Sequence, residues 1–359
     1  MKIKDIKSKE VSIPLLKPFV IALGARYEYT GVVVKIETDE EIFGIGEASP
    51  SARITGETTQ TVVDVIENQI KPAIIGENPL DIEKIMDKVD STILGNTSAK
   101  CAIDTALHDI LGKYVHLPLK ALLGGSYREE INTSITIGIK SIEETLKEGR
   151  EMVKSGVKII KVKLGLNPKE DIEKIKRLRE EVGYDITIRV DGNQGYEVRE
   201  AIEVLKKIAP YKIEFIEQPV KFWDIQGMKR VREASDIPVM ADESVHSPQD
   251  AINFVRAEAC DLINIKLMKA GGVRNAVKIA NIAEGAGIKC MIGGMTETKI
   301  GMTAATHVAA AIKNIKYADL DGHVGLKENI TIGGVVTEGS KNRISDKEGL
   351  GLELKPGVL

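Results

Sequence analysis

Eight short apolar runs, each ending in polar residues and each separated from the next by a longer segment, fill the chain from about residue 130 onward. They are INTSITIGI, KIIKVKLG, ITIRVDGNQG, IEFIEQPV, IPVMADES, LINIKLMKAGG, IKCMIGGMTET and YADLDG. The intervening stretches, such as PKEDIEKIKRLREEV and VREAIEVLKKIA, are charged on one face and apolar on the other, as surface helices are. The strand ends recur roughly every 24–30 residues, and alternating βα units favour a parallel sheet with helices outside it. Eight even units predict a TIM-type barrel. An open doubly wound sheet would need a reversal of strand order, which the even spacing disfavours.

The region before the barrel reads as α+β. DIKSKEVSIPL and GVVVKIETDEEIFGIGEA have strand patterns, the second broken by a turn at Thr38-Asp39-Glu40. FVIALGARYEYTG, with Gly24 and Gly31, reads as a mobile loop, and PSARITGE as a second loop. Helices are expected near residues 60–73, 79–89 and 98–113, the last with Cys101, Ile103, Ala106 and Ile110 at mixed three- and four-residue spacing. Beyond residue 326, ITIGGVVTEGSKNRISDKEGLGLEL returns to β-hairpin character and is expected to pack on the N-terminal region. The expected division is a capping domain over 1–125, a barrel over 126–325 and a C-terminal return over 326–359.

Composition removes several function classes. The formal charge of −3 offers no basic surface for nucleic acid, and an aromatic content of 4% offers no base-stacking platform. Cys101, Cys260 and Cys290 lie far apart, without zinc or disulfide spacing. No run approaches the roughly 18 apolar residues of a membrane span, and MKIKDIKSKE is not a signal peptide. A cytoplasmic enzyme with no nucleic-acid or membrane partner is expected.

In a barrel the C-terminal ends of the strands surround one site. The second run brings Lys161 and Lys163 there, two residues apart and therefore on the same strand face. The third brings Asp191 and Asn193, the fourth Glu217, the fifth Asp242 and Glu243, the sixth Lys266, and the eighth Asp319 and Asp321. A lone Asp after a strand is commonly a helix N-cap. Lysines within apolar strands are harder to dismiss, because burying an unpaired ammonium costs several kcal/mol. Carboxylates on three consecutive strands, flanked by lysines on the strands either side, point to one centre. Oxygens from Asp191, Glu217 and Asp242 suit a hard octahedral cation, and Mg²⁺ fits best. Three carboxylates against a dication leave about −1, and taking the α-proton from a bound carboxylate adds more negative charge. Lys163 is read as the proton-exchanging base, with Lys161 stabilising the oxyanion and depressing its neighbour's pKa. That depression requires roughly 3–4 kcal/mol. Lys266, across the barrel, faces the other side of the same carbon, which makes a two-base racemase or epimerase.

KVK, VDGNQ, EQP, ADES and NIKLMKAGG, in this order and spacing, resemble the enolase superfamily and within it the muconate-lactonizing subgroup. The resemblance spans nearly the whole chain. It implies a modified (β/α)7β barrel, lacking one outer helix, with an α+β capping domain whose loops set specificity. ADLDG resembles the Asp-x-Asp of dipeptide epimerases, implying that Asp319 and Asp321 hold the free amino terminus of a dipeptide. Two carboxylates on one strand face suit an ammonium. MTETKIG resembles the matching segment of L-Ala-D/L-Glu epimerases, implying substrate contacts at Thr298 and Lys299, and Thr136 matches another such position. Those enzymes can carry an arginine in the first loop where this chain has Gly24; Arg26 follows two residues later. The implied activity is Mg²⁺-dependent 1,1-proton transfer at the second residue of an L-Ala-Xaa dipeptide, Glu being the favoured second residue, in murein-peptide metabolism. A non-acidic second residue is the first alternative. o-Succinylbenzoate synthase and N-acylamino acid racemase follow, although neither needs an ammonium anchor. The expected partner is the small-molecule dipeptide, and a homo-oligomer is expected.

Overall fold

The computed structural model describes all 359 residues. The chain opens with an antiparallel three-stranded sheet, β1 (Ile3–Ile21), β2 (Gly24–Thr38) and β3 (Phe43–Ala48), in that order. α1 (Thr59–Val65) continues through a π turn at Ile66–Ile70 into α2 (Lys71–Ile74), and α3 (Ile82–Thr92) and α4 (Thr97–Tyr114) follow. Val62, Val65, Ile66, Ile70 and Ile74 pack with Ile36 and Val34 in a core that belongs to this region alone.

α4 explains its own mixed spacing. Ala102, Ile103 and Ala106 join that N-terminal core, whereas Cys101 joins the larger core of the barrel. A helix buried on two sides shows no single apolar stripe. Gly46 lets it approach the sheet, since a Cβ there would stand 1.9 Å from the Ala102 carbonyl oxygen.

After α5 (Leu119–Leu122) and the short β4 (Ile131–Asn132), eight strands run parallel in unbroken sequence order. They are β5 (Ile135–Ile137), β6 (Ile159–Lys163), β7 (Thr187–Asp191), β8 (Ile213–Glu217), β9 (Val239–Ala241), β10 (Leu262–Lys266), β11 (Lys289–Gly293) and β12 (Ile315–Asp319). Between them run α6 (Ile142–Lys154), α7 (Pro168–Val182), α8 (Val198–Ile208), α9 (Ile225–Glu233), α10 (Pro248–Ala257), α11 (Leu267–Ala270) with α12 (Val273–Gly285), and α13 (Lys299–Ala311). Order without reversal excludes the doubly wound alternative. A bridge from Thr133 to Ala318 draws the two ends of the sheet together, and no helix follows β12, so the barrel is (β/α)7β. Inside its lower half, Phe215, Met240, Leu262 and Met291 form a small separate cluster under the polar site. No helix is long and apolar enough to cross a membrane.

Two expectations change. Residues 19–31 are not a loop: β1 and β2 form a long hairpin registered Ile13↔Tyr29, Phe19↔Arg26 and Ile21↔Gly24. A register shift between Pro14 and Phe19 breaks the alternation, and residues 19–23 of the distal half are half-buried on successive positions, so the period-2 signal disappears. The hairpin tip reaches the barrel, where Ile139 N donates to Val20 O at 2.7 Å and Arg53 donates to Leu23 O. The C-terminal return also divides. β13 (Thr331–Gly333) pairs with β16 (Leu352–Leu354), while the hairpin of β14 (Val336–Glu338) and β15 (Lys341–Arg343) joins β4 and not the N-terminal sheet. The last turn does reach α4, through Leu350 N to Asp109 Oδ1 at 2.8 Å.

Candidate active site

The strand-end carboxylates are not helix caps. α8 begins on a capping box formed by Glu197 and Glu200, α9 on Asp224, and α10 on Ser247. Asp191, Glu217 and Asp242 are thus free for another role. All three are fully buried, and one oxygen from each lies within 4.8 Å of the others. Three buried carboxylates converging on one point are stable only with compensating positive charge.

Lysines surround them. Lys161 Nζ lies 2.7 Å from Glu217 Oε2, 2.7 Å from Asp319 Oδ2 and 3.1 Å from Asp191 Oδ2. Lys163 Nζ lies 2.6 Å from Asp191 Oδ2, and Lys266 Nζ 2.7 Å from Asp242 Oδ2. This arrangement keeps Lys161 charged. Burial pulls its pKa down, but Asp319, Glu217 and Asp191 outweigh burial and raise it well above the ordinary lysine value. Lys266 is raised too, as Asp242 and Glu217 prevail over desolvation. Opposite charges at contact distance here outweigh the desolvation of a buried ammonium.

The negative charge still exceeds what the lysines cover. Burial, then Asp191, pushes the Glu217 carboxyl up, and burial with Asp242 does the same to Glu243. Asn193 Nδ2 donates to Glu243 Oε1 at 3.1 Å, while Asn193 Oδ1 and Glu243 Oε2 have no hydrogen-bond partner although both residues are buried. An all-oxygen donor set with surplus negative charge fits a hard divalent cation.

Asp319 and Asp321 come together on the opposite wall, each held by the first barrel strand. Ser134 Oγ donates to Asp319 Oδ1 at 2.6 Å, and Thr136 N donates to Asp321 Oδ2 at 2.7 Å. Burial and the neighbouring Asp319 raise the Asp321 carboxyl to about 6. Asp319 goes the other way: burial raises it, but Lys161 and Lys163 hold it below the usual carboxylate range.

These groups open into a cavity of about 670 Å³ lined by Lys163, Lys266, Asn193, Thr136, Asp319 and Asp321, and by Arg26 and Arg53 from the capping side. Neither arginine has a carboxylate partner in this structure. Thr298 and Lys299 do not line the cavity. Thr298 is the N-cap of α13, and its hydroxyl donates to Glu47 Oε2 at 2.6 Å, so it ties the barrel to β3. Sequence reasoning missed Ser134, Lys269, Asn264 and Arg53. Ser134 was findable, since it sits two residues before Thr136 and shares its strand face. Asn264, whose Nδ2 donates to Glu217 Oε1 at 2.8 Å, likewise precedes Lys266 by two. Nothing local marks Arg53, which a loop delivers.

A family model described as mandelate racemase / muconate lactonizing enzyme, N-terminal domain, matches residues 4–124, and one described as enolase C-terminal domain-like matches 144–358. The chain belongs to the enolase superfamily. Among superfamily relatives, the L-Ala-D/L-Glu epimerase of Clostridium acetobutylicum is 45% identical over 355 residues, 98% of this chain and 99% of that protein. The N-succinyl-L-Arg/Lys racemase of Bacillus cereus is 39% identical, covering 100% of this chain and 97% of that one. The crystal structure of the Enterococcus faecalis dipeptide epimerase, complexed with Mg and the dipeptide L-Leu-L-Tyr, is similar with a TM-score of 0.96 at 43% identity, covering 98% and 100% of the two chains. These relatives are epimerases and racemases, and this superfamily member is an isomerase of the same kind.

Proposed function

We propose that this enzyme is a cation-dependent dipeptide epimerase that inverts the α-carbon of the second residue of an L-Ala-Xaa dipeptide, with L-Ala-L-Glu and L-Ala-D-Glu as the preferred pair. The observation that carries the reading is the acid pair Asp319 and Asp321, fixed by β5 beside a cavity that Lys163 and Lys266 also line. Two carboxylates in one wall provide charge-assisted acceptors for the free ammonium of a dipeptide. The second residue's α-carbon then lies between the two lysines.

Asp191, Glu217 and Asp242 would hold the cation, Mg²⁺ by its hardness, which when bound stabilises negative charge on the substrate carboxylate as the α-proton leaves. Lys163 in its neutral form takes that proton from one face, and the Lys266 ammonium returns a proton to the other. The reverse direction exchanges their roles, so each turnover conserves protons and inverts the centre. Lys161, pinned by three carboxylates, stays charged and faces the developing negative charge without exchanging protons. Asn193 and Glu243 hold one another beside the cation ligands.

Arg26 and Arg53 support an acidic second residue, because both are guanidiniums without a carboxylate and both border the cavity. Phe19, Ile21, Ile54 and Met295 share the lining and favour the competing reading, an apolar second residue. Proton NMR in D₂O with Mg²⁺, over a panel of L-Ala-L-Xaa dipeptides, tests both. Exchange of the second residue's α-proton with growth of the other diastereomer is expected, fastest for Glu. A faster reaction with Leu or Phe would replace the acidic reading by the apolar one, and no exchange on any dipeptide would overturn the epimerase reading.

A further inference from the structure

The site contains a fourth lysine that neither proton transfer uses. Lys269, in α11, is completely buried and does not line the cavity, unlike Lys163 and Lys266. Its Nζ lies 2.8 Å from Asp242 Oδ1, 3.0 Å from the Val245 carbonyl oxygen and 3.1 Å from that of Asn264, and it also donates to the Asp242 carbonyl. An ammonium has three N–H bonds, and here four oxygens from the ends of two adjacent strands compete for them.

The consequence falls on Asp242. Its main-chain N–H donates to Gln218 Oε1 at 2.9 Å, its carbonyl accepts from Lys269, Oδ1 lies 2.8 Å from Lys269 Nζ as an ion pair without a hydrogen bond, and Oδ2 accepts from Lys266 at 2.7 Å. Three of its four polar atoms are hydrogen-bonded, and Lys269 both takes the carbonyl and neutralises the fourth, Oδ1. Asp191 and Glu217 have no comparable second cation reaching under their backbones. Replacing both partners of a buried ion pair by apolar side chains is often neutral, whereas removing one partner is destabilising. Removing Lys269 alone would forfeit the orientation of the carboxylate as well as some stability.

We propose that Lys269 is a positioning residue: it locks the Asp242–Val245 turn to β10 and sets the Asp242 carboxylate so that Oδ2 faces Lys266 and the cation site. This rests on Asp242 being a cation ligand, as proposed above. Lys269 itself never meets the substrate.

The test uses Mn²⁺ alone as a paramagnetic probe, with free ion followed by electron paramagnetic resonance on the full chain and no substrate present. Lys269→Met should weaken Mn²⁺ binding about 10- to 100-fold, the range seen when a ligand's outer support is removed. Its unfolding temperature should fall, and Mn²⁺ binding is compared at a temperature where both chains are folded. In an Asp242→Asn background the same substitution should change Mn²⁺ affinity less than about 3-fold, since both act through one ligand. If Lys269→Met does not fold, Lys269→Gln, which keeps an amide donor for the carbonyls, takes its place with the same thresholds. Unchanged or tighter Mn²⁺ binding overturns the proposal, because removing a nearby positive charge would then be the only effect. An equal loss in the Asp242→Asn background overturns it in favour of a general structural role. No Mn²⁺ binding by the wild-type protein overturns both this assignment and the cation site. Because no substrate enters, these outcomes are separate from those of the dipeptide panel.

Discussion

Lowering the pH from about 7 to about 5 should raise KM for a dipeptide roughly tenfold through Asp321. Burial and the adjacent Asp319 lift the Asp321 carboxyl to about 6. A raised carboxyl pKa means that the group is neutral below that value, and a neutral acid no longer attracts the substrate ammonium. At about pH 5 only about one-tenth of Asp321 is ionised, and if binding requires the ionised form, KM rises about tenfold. Between about pH 7 and pH 5 the substrate's own amine stays mostly protonated, its pKa lying near 8, so the acid limb belongs to the enzyme. Initial rates with L-Ala-L-Glu, followed by polarimetry at saturating Mg²⁺ between about pH 5 and 7.5, give the profile. Asp321→Asn should remove the inflection and leave KM high at all these pH values, with Thr136 N still able to donate to the side-chain oxygen it now holds at 2.7 Å. Persistence of the inflection near pH 6 in Asp321→Asn would refute the reasoning, as would a flat wild-type profile.

Lys163→Ala and Lys266→Ala should each abolish epimerisation while leaving cation binding in place. Each should still exchange the α-proton of one epimer, and normal epimerisation by both in the NMR assay would rule out a two-base mechanism. Arg26→Ala, by removing a charge-assisted contact of about 1.5–3 kcal/mol, should lower kcat/KM for L-Ala-L-Glu about 10- to 100-fold. L-Ala-L-Leu should be nearly unaffected, and equal losses on the two would remove Arg26 from substrate reading. Asp319→Asn should reduce turnover of free dipeptides far more than of their N-acylated analogues, measured side by side. Chelation should stop exchange and Mg²⁺ restore it, a result checked by the same NMR signal.

Much of this was readable from residue order alone. Strand alternation is local, so Lys161 with Lys163 and Asp319 with Asp321 could be placed on shared faces without any coordinates. The even run of βα units likewise announced a barrel, and a barrel dictates that strand ends meet. The hairpin of β1 and β2 was not readable, because a register shift and a uniformly half-buried distal segment erase the alternation on which strand recognition depends. The tie made by Thr298 was likewise not readable, because its hydroxyl donates to Glu47, 251 residues earlier in the chain.

Sequence by itself therefore determined which ionisable groups would gather at one end of the barrel, since covalent spacing and strand period leave them nowhere else to go. Only the tertiary structure decided how their charges pair. Electrostatic energy falls with distance and rises with burial, whatever the separation along the chain. Thus Lys161 is governed by Asp319, 158 residues away, more than by Lys163. Lys269, three residues beyond Lys266, finds its role under Asp242 because a short helix turns it away from the cavity. Arg26 and Arg53 share a cavity only because a hairpin and a loop fold over the barrel mouth.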